Sequence, residues 1–248
     1  MTKSKREPLV HITRRVNIPI WLPFAVHAVA ILLALIVCGI VTLVMTGENP
    51  LNLLNSIING SFGSQRKIWV MLQNTAMLLC ISLAVTPAFK MRFWNTGAEG
   101  QVLAGALATA ACMIFLTPFF SVTNADGTAT ASGNVWLLYM IMAAAAVLAG
   151  ALWGVIPAIF KAKWNTNETL FTLMMNYVII QIISYFTYQW SVPRGSGAIG
   201  VINLASKIGW LPKLFGQSYL LNILIVAVLT VGMAVYLRFS KHGYEIAV

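Results

Sequence analysis

The stretch Trp21–Thr46 reads WLPFAVHAVAILLALIVCGIVTLVMT and contains no Lys, Arg, Asp or Glu. An α-helix needs about 20 mostly apolar residues to cross the hydrocarbon core of a bilayer, and this stretch exceeds that length. A transmembrane β-strand would instead show a segment of about 10 residues with alternating polarity. The stretch therefore predicts a helix that crosses a membrane.

The composition of the whole chain indicates the same environment. Hydrophobic residues make up 59% of the 248 residues and charged residues only 9%, whereas a soluble domain carries roughly 25% charged residues. The six predicted spans are Trp21–Thr46, Ile68–Phe89, Gln101–Phe120, Val135–Phe160, Thr169–Trp190 and Tyr219–Phe239. The predicted fold class is all-α, a polytopic integral membrane protein with about six transmembrane helices.

The net charge of +10 is spread in small groups between the apolar stretches. This distribution follows the positive-inside rule and is not the single basic face that binds nucleic acid, so we expect no nucleic-acid partner. Residues 1–20 are predicted to form a basic cytoplasmic tail, followed by a multi-pass transmembrane domain over 21–239 in the cell membrane.

Two segments fit that topology less well. Glu48–Lys67 and Ser191–Ser218 are both predicted to be external, yet both contain Lys and Arg. For Ser191–Ser218 two interpretations remain open. It is either an amphipathic stretch in the membrane interface, which would account for Trp210 and Lys213, or a surface loop.

Motifs of the common enzyme classes are missing. The sequence has no Gly-x-x-x-x-Gly-Lys-Ser/Thr loop for ATP, no His-Glu-x-x-His for zinc and no Gly-x-Ser-x-Gly elbow. We therefore predict no catalytic residues, no metal ligands and no cofactor, and expect that the chain is not an enzyme.

The segment Phe93–Gln101 is unusually polar and Gly-rich for the start of a span. Thr96 and Glu99 have the Thr-x-x-Glu spacing of a capping box, in which the hydroxyl and the carboxylate each accept a backbone N–H of the first turn. The segment is either a well-capped helix start near the headgroups or a break within the membrane that lines a water-filled path.

Polar side chains also interrupt the spans. In lipid-facing positions they would be costly, so we expect them to face a cavity or to hydrogen-bond to other helices. The candidate residues of a substrate pathway are Asn74, Asn95, Glu99, Gln101, Asn176 and Gln181. The pair Gly150 and Gly154, with the run Ala143–Ala146, predicts close contact between helices.

Three motifs resemble one family of membrane proteins. Phe93–Gln101 is similar to the Phe-Asn-Ile-Gly-Ala-Glu-Gly-Gln signature of bacterial ABC permeases of the ribose, branched-chain amino acid and nucleoside type, with Trp94 added and Thr96 in place of Ile. Asn167–Tyr177 resembles the Asn-Glu-Val to Leu-Asn-Tyr segment of that family. Ser240–Val248 looks like the opening of its cytoplasmic coupling segment. The matches occur in the family's order from Phe93 onward.

The resemblance implies the permease subunit of an ATP-driven importer for a small polar solute. Gly-Ala-Glu-Gly-Gln is most like the nucleoside branch, so nucleosides are the first expected substrate and simple sugars the second. The implied partners are ABC ATPase subunits that use the ATP, a second permease subunit, an extracytoplasmic solute-binding protein and membrane lipid. Gly243, Tyr244 and Glu245 would contact the ATPase. Family members continue past this segment, so we expect that the chain is incomplete.

A secondary transporter or channel is the alternative. Such a protein would need ionisable residues deep in its spans for ion coupling, and only Glu99 and His27 come near that requirement.

Overall fold

A computed structural model describes residues 19, 21–47, 49–123, 129–131, 134–191, 193 and 195–247. The predicted cytoplasmic tail, residues 1–20, lies outside this part of the chain except for Pro19, and so does Val248. The helices in the described ranges are α1 (Trp21–Thr46), α2 (Pro50–Phe62), α3 (Gln65–Lys90), α4 (Ala98–Leu116), α5 (Val135–Trp164), α6 (Glu168–Trp190), α7 (Leu220–Phe239) and α8 (Lys241–Ala247).

The predicted all-α membrane fold is confirmed. Six of these helices, α1, α3, α4 with its 3₁₀ extension Thr117–Phe120, α5, α6 and α7, are long and apolar enough to cross a membrane. Each matches one predicted span, with ends that differ by at most a few residues. Between α4 and α5, Ser121–Thr123 (β1) pairs antiparallel with Ala129–Ala131 (β2) in a short hairpin.

The contact pattern divides the chain into two units, one up to Ile68 and one from Trp69. In the first unit, α2 is an element that the predicted spans did not include. Asn49 caps its start, because the Asn49 side chain accepts a hydrogen bond from the backbone N–H of Leu51. At its end, Lys67 Nζ donates to the Asn59 carbonyl at 2.8 Å. This bond to one of the last carbonyls of α2 gives Lys67 a structural role at the helix C-terminus.

In the second unit, α4 packs along α5 through small residues. A Cβ added at Gly105 would lie 3.1 Å from the carbonyl oxygen of Ala146, and one at Gly150 would lie 3.2 Å from that of Gln101. Backbones can approach this closely only where side chains are absent or small. The predicted close contact at Gly150, Gly154 and Ala143–Ala146 is therefore confirmed.

The loop after α6 folds onto the ends of α4 and α5. Asn203 Nδ2 donates to Thr117 Oγ1 at 2.8 Å and to the carbonyl oxygens of Ile208 and Met113. Ile208 is buried in a cluster with Leu138 and Met142 of α5. The described part of Ser191–Ser218 contains turns and no helix. The segment is therefore an irregular loop packed against the spans, and whether it lies in the membrane interface stays a prediction.

Candidate functional site

The polar segment before α4 forms a compact turn. Asn95 Oδ1 accepts a hydrogen bond from the backbone N–H of Gly97 at 3.0 Å, which is the pattern of an Asx turn. Gly97 is the N-cap residue, and α4 begins at Ala98. Asn95 therefore fixes the direction in which the chain enters α4.

The capping box predicted for Thr96 and Glu99 is wrong. Gly97 occupies the N-cap position and supplies no side-chain cap. Thr96 Oγ1 instead donates to the Thr169 carbonyl at 3.0 Å and lies 2.9 Å from Thr172 Oγ1. The Thr96 hydroxyl therefore bonds to α6 and not to the first turn of α4, because the Thr169 carbonyl lies within hydrogen-bonding distance.

Asn176 of α6 provides the cap that the local sequence does not. Its Oδ1 accepts from the backbone N–H of Gly100 at 2.9 Å, and its Nδ2 donates to the Thr96 carbonyl at 3.0 Å. The first turn of a helix leaves N–H groups without intrahelical partners, and Gly100 N–H is one of them. Asn176 is only 5% exposed, so this bond is made away from solvent.

Two glycines allow these helices to meet. A Cβ at Gly100 would lie 2.6 Å from Asn176 Oδ1 and 3.1 Å from Trp153 Nε1, and a Cβ at Gly154 would lie 2.7 Å from Gln101 Nε2. The side chain of Gln101 therefore packs on the bare backbone of α5. We call Asn95, Thr96, Gly100, Gln101, Thr172 and Asn176, with Trp153 and Gly154, the α4 junction.

One hydrogen-bond donor of the α4 junction, the buried indole N–H of Trp153, has no acceptor among the described residues. Thr172 and Trp153 were not among the predicted site residues. Thr172 could have been found, because it lies four residues before Asn176 and so shares its helix face. Trp153 gave no signal in a span that is otherwise apolar.

The structure brings together three of the six predicted pathway residues. Asn95, Gln101 and Asn176 all lie in the α4 junction. Glu99, Asn74 and Gln181 are exposed on α4, α3 and α6, respectively. Glu99 makes no hydrogen bond or ion pair with any other described residue. Asn95 and Asn176 therefore hydrogen-bond within the chain and Gln101 packs against α5, whereas the other three side chains are exposed.

The α5–α6 connection carries an ion pair that sequence reasoning missed. Lys161 Nζ lies 2.9 Å from Glu168 Oε2, and the Asn167 side chain accepts from Leu170 N–H at the start of α6. The pair joins the end of α5 to the first turn of α6. An acidic residue at a helix start and a basic one at a helix end each also complement the helix dipole.

The predicted coupling residues lie in α8, which follows α7 directly. Ser240 Oγ accepts the backbone N–H of Gly243 at 2.9 Å, and Glu245 Oε2 lies 3.4 Å from His242 Nδ1. Tyr244 is 73% exposed. The short helix therefore presents an aromatic side chain and a carboxylate on its surface.

Comparison with known proteins gives three curated relatives. The chain is 32% identical over 202 residues to the glucose ABC transporter permease protein of Haloferax volcanii, covering 82% of this chain and 49% of that protein. It is 30% identical over 160 residues to the guanosine ABC transporter permease protein of Bacillus subtilis, covering 64% and 41%. It is 26% identical over 242 residues to the nucleoside ABC transporter permease protein of Lactococcus lactis, covering 94% and 60%.

The chain thus spans about half the length of the curated relatives it matches. No solved structure matches it. All three relatives are named as ABC transporter permease proteins, in agreement with the prediction that the chain is not an enzyme. Residues 68–248 match the model of a family described as the branched-chain amino acid transport system / permease component. This match covers most of the chain and includes the α4 junction and α8, and the chain belongs to this permease family.

Proposed function

We propose that this chain is part of the permease subunit of an ATP-binding-cassette importer that moves nucleosides, with simple sugars as the second substrate class. The observation that carries the proposal is the match of residues 68–248 to a permease family. Two relatives named for guanosine and nucleosides favour the first substrate class. The relative named for glucose favours the second.

In this proposal the α4 junction supports the substrate pathway and the exposed polar groups line it. Asn95, Gln101 and Asn176 hold α4 in place through bonds and packing within the chain. Asn74, Glu99 and Gln181 are the exposed candidates for contact with a solute. Nucleosides and sugars carry hydroxyl groups that can donate to a carboxylate and exchange hydrogen bonds with amides.

The partners follow from the same reading. ATPase subunits bind at Gly243, Tyr244 and Glu245 of α8 and hydrolyse ATP, so this chain needs no cofactor of its own. A second permease subunit completes the pathway, and an extracytoplasmic binding protein delivers the solute. The basic groups in the sequence favour a cell membrane location with a cytoplasmic N-terminus.

The test is to co-purify the complete permease with the proteins encoded beside it and to measure ATP hydrolysis in proteoliposomes. Hydrolysis stimulated by guanosine or another nucleoside, and not by glucose, supports the first substrate class. Stimulation by glucose alone moves the assignment to sugars. A permease that purifies without an ATPase and takes up solute on an ion gradient contradicts the importer.

A further inference from the structure

The helix α2 has two distinct exposed faces. At 100° per residue, Leu51, Ile58 and Phe62 fall within an arc of about 40°, while Asn52, Asn55, Ser56 and Asn59 fall within a separate arc of about 100°. The three apolar side chains are 69%, 59% and 58% exposed. On the other face, Asn59 Nδ2 donates to Asn55 Oδ1 at 3.0 Å. The helix is therefore amphipathic, with an exposed apolar face beside a polar one.

The position of α2 along α1 fixes its depth. A Cβ at Gly39 would lie 3.2 Å from Pro50 Cβ, and Gly39 is buried. Gly39 lies seven residues before the end of α1, so the first residue of α2 sits about 10 Å back along that helix. With α1 centred on the bilayer, this contact is about 8 Å from the midplane, inside the roughly 15 Å half-thickness of the hydrocarbon core. Because α2 starts alongside a membrane span at this depth, acyl chains can reach its apolar face.

The charges around α2 point to the same surroundings. The sequence of α2, Pro50–Phe62, contains no Lys, Arg, Asp or Glu. Arg66 and Lys67 lie at the start of α3, four and five residues after Phe62, and Lys67 Nζ donates to the Asn59 carbonyl of α2. An uncharged amphipathic helix with a cation bound near its C-terminus suits the boundary between acyl chains and lipid phosphates.

We propose that α2 is a lipid-embedded amphipathic helix, with Leu51, Ile58 and Phe62 in contact with acyl chains and the Asn52–Asn59 face turned toward the headgroups and water. Leu53 and Leu54 on the remaining side are half-buried, Ile57 between them is exposed, and α2 contacts α1. The exposed apolar face of α2 is more stable in an apolar solvent than in water, and the lipid expected around α1 can supply that solvent.

The experiment uses the complete permease in vesicles of phosphatidylethanolamine and phosphatidylglycerol. Cys38, Cys80 and Cys112 are replaced by Ala, and a nitroxide is attached to one new cysteine at a time. Leu51→Cys and Ile58→Cys test the apolar face, and Asn52→Cys and Ser56→Cys are the matched controls on the polar face. Val37→Cys in α1 and Lys163→Cys at the end of α5 give the lipid and water references, since both positions are exposed. Each label adds one small change to an exposed site, so folding is retained.

Collision rates with oxygen, which concentrates in lipid, and with a water-soluble nickel chelate are then compared. Labels at 51 and 58 are expected to match the Val37 reference, with an oxygen-to-nickel ratio several-fold above that at 52 and 56. High nickel access at 51 and 58 would show that this face is in water and overturn the proposal. Low access to both reagents there would mean that protein, such as a second permease subunit, covers the face, and would overturn it too.

Discussion

Asn176 on α6 and Gly100 on α4 are joined across 76 positions of sequence by a buried hydrogen bond of 2.9 Å, in which the glycine N–H donates to the asparagine side chain. The same carboxamide donates from Nδ2 to the Thr96 carbonyl. One side chain thus satisfies two backbone groups at the start of another helix. The bond ties the orientation of α4 to that of α6.

Replacing Asn176 should loosen this tie. Asn176→Ala leaves the Gly100 N–H and the Thr96 carbonyl without partners, and we expect the free energy of unfolding to fall by about 1–2 kcal/mol. Asn176→Asp keeps an acceptor for the Gly100 N–H, but it buries a carboxylate and places one of its oxygens against the Thr96 carbonyl, so its loss should be at least as large. Unfolding in mixed detergent micelles measures both. The control is Gln181→Ala, an exposed amide on the same helix, and equal stability of N176A and Q181A would contradict the capping role.

A methyl group at Gly100 should separate the two helices. The added Cβ would lie 2.6 Å from Asn176 Oδ1. This atom belongs to a carboxamide that makes two hydrogen bonds, so Gly100→Ala should cost about 1–3 kcal/mol through overpacking. Gly232→Ala on α7 is the matched control because nothing lies within 4 Å of its Cβ. That change should be neutral or stabilise by up to about 1 kcal/mol, as Ala is the better helix former. If both variants unfold alike, the close approach is not needed.

The side chain of Asn203 should hold the loop after α6 on the membrane spans. Asn203 has a φ of 56°, a left-handed conformation that Gly tolerates best and Asn better than most residues. Asn203→Gly removes the hydrogen bonds and keeps the backbone relaxed. Asn203→Ala also adds backbone strain of about 1–2 kcal/mol. We expect faster amide hydrogen exchange around Ile208 and Trp210 in N203G and faster still in N203A. Unchanged exchange in both would show that packing of Ile208 alone fixes the loop.

Removal of the Glu99 carboxylate should impair transport while insertion is retained. Glu99 is exposed and bonds to no other described residue, so Glu99→Ala should leave stability within about 0.5 kcal/mol. If the carboxylate contacts solute, uptake should fall about tenfold or more, the effect of about 1.4 kcal/mol. Glu99→Gln separates charge from size. Full uptake by both variants, at equal membrane abundance, would exclude Glu99 from the pathway.

The exposed ring of Tyr244 should matter for partner binding and not for folding. Tyr244→Ala in the complete permease is expected to lower the recovery of the ATPase in co-purification without changing solute capture by the binding protein. Phe119→Ala, a truncation of an exposed aromatic residue beyond α4, serves as the control and should leave recovery unchanged. Equal recovery with Y244A and F119A would contradict the assignment of α8 to coupling.

The sequence by itself determined the number and position of the membrane spans. Stretches such as Trp21–Thr46 have no charged group. In a bilayer such a stretch forms a helix, because a helix hydrogen-bonds its own backbone N–H and C=O groups. The polar segment Phe93–Gln101 and the close contact at Gly150 and Gly154 could also be predicted from the sequence, because both depend on local composition.

Only the tertiary structure decided which groups satisfy the break. The capping box at Thr96 and Glu99 follows local sequence rules, yet the cap comes from Asn176, 80 positions after Thr96. The Asn176 amide is placed to bond to the Gly100 N–H and the Thr96 carbonyl together. The helix α2 was missed because it is too short for a span, and its place became apparent through the contact of Pro50 with Gly39. Hydropathy records how apolar a segment is, whereas the choice between acceptors depends on which backbones lie within 3 Å of each other.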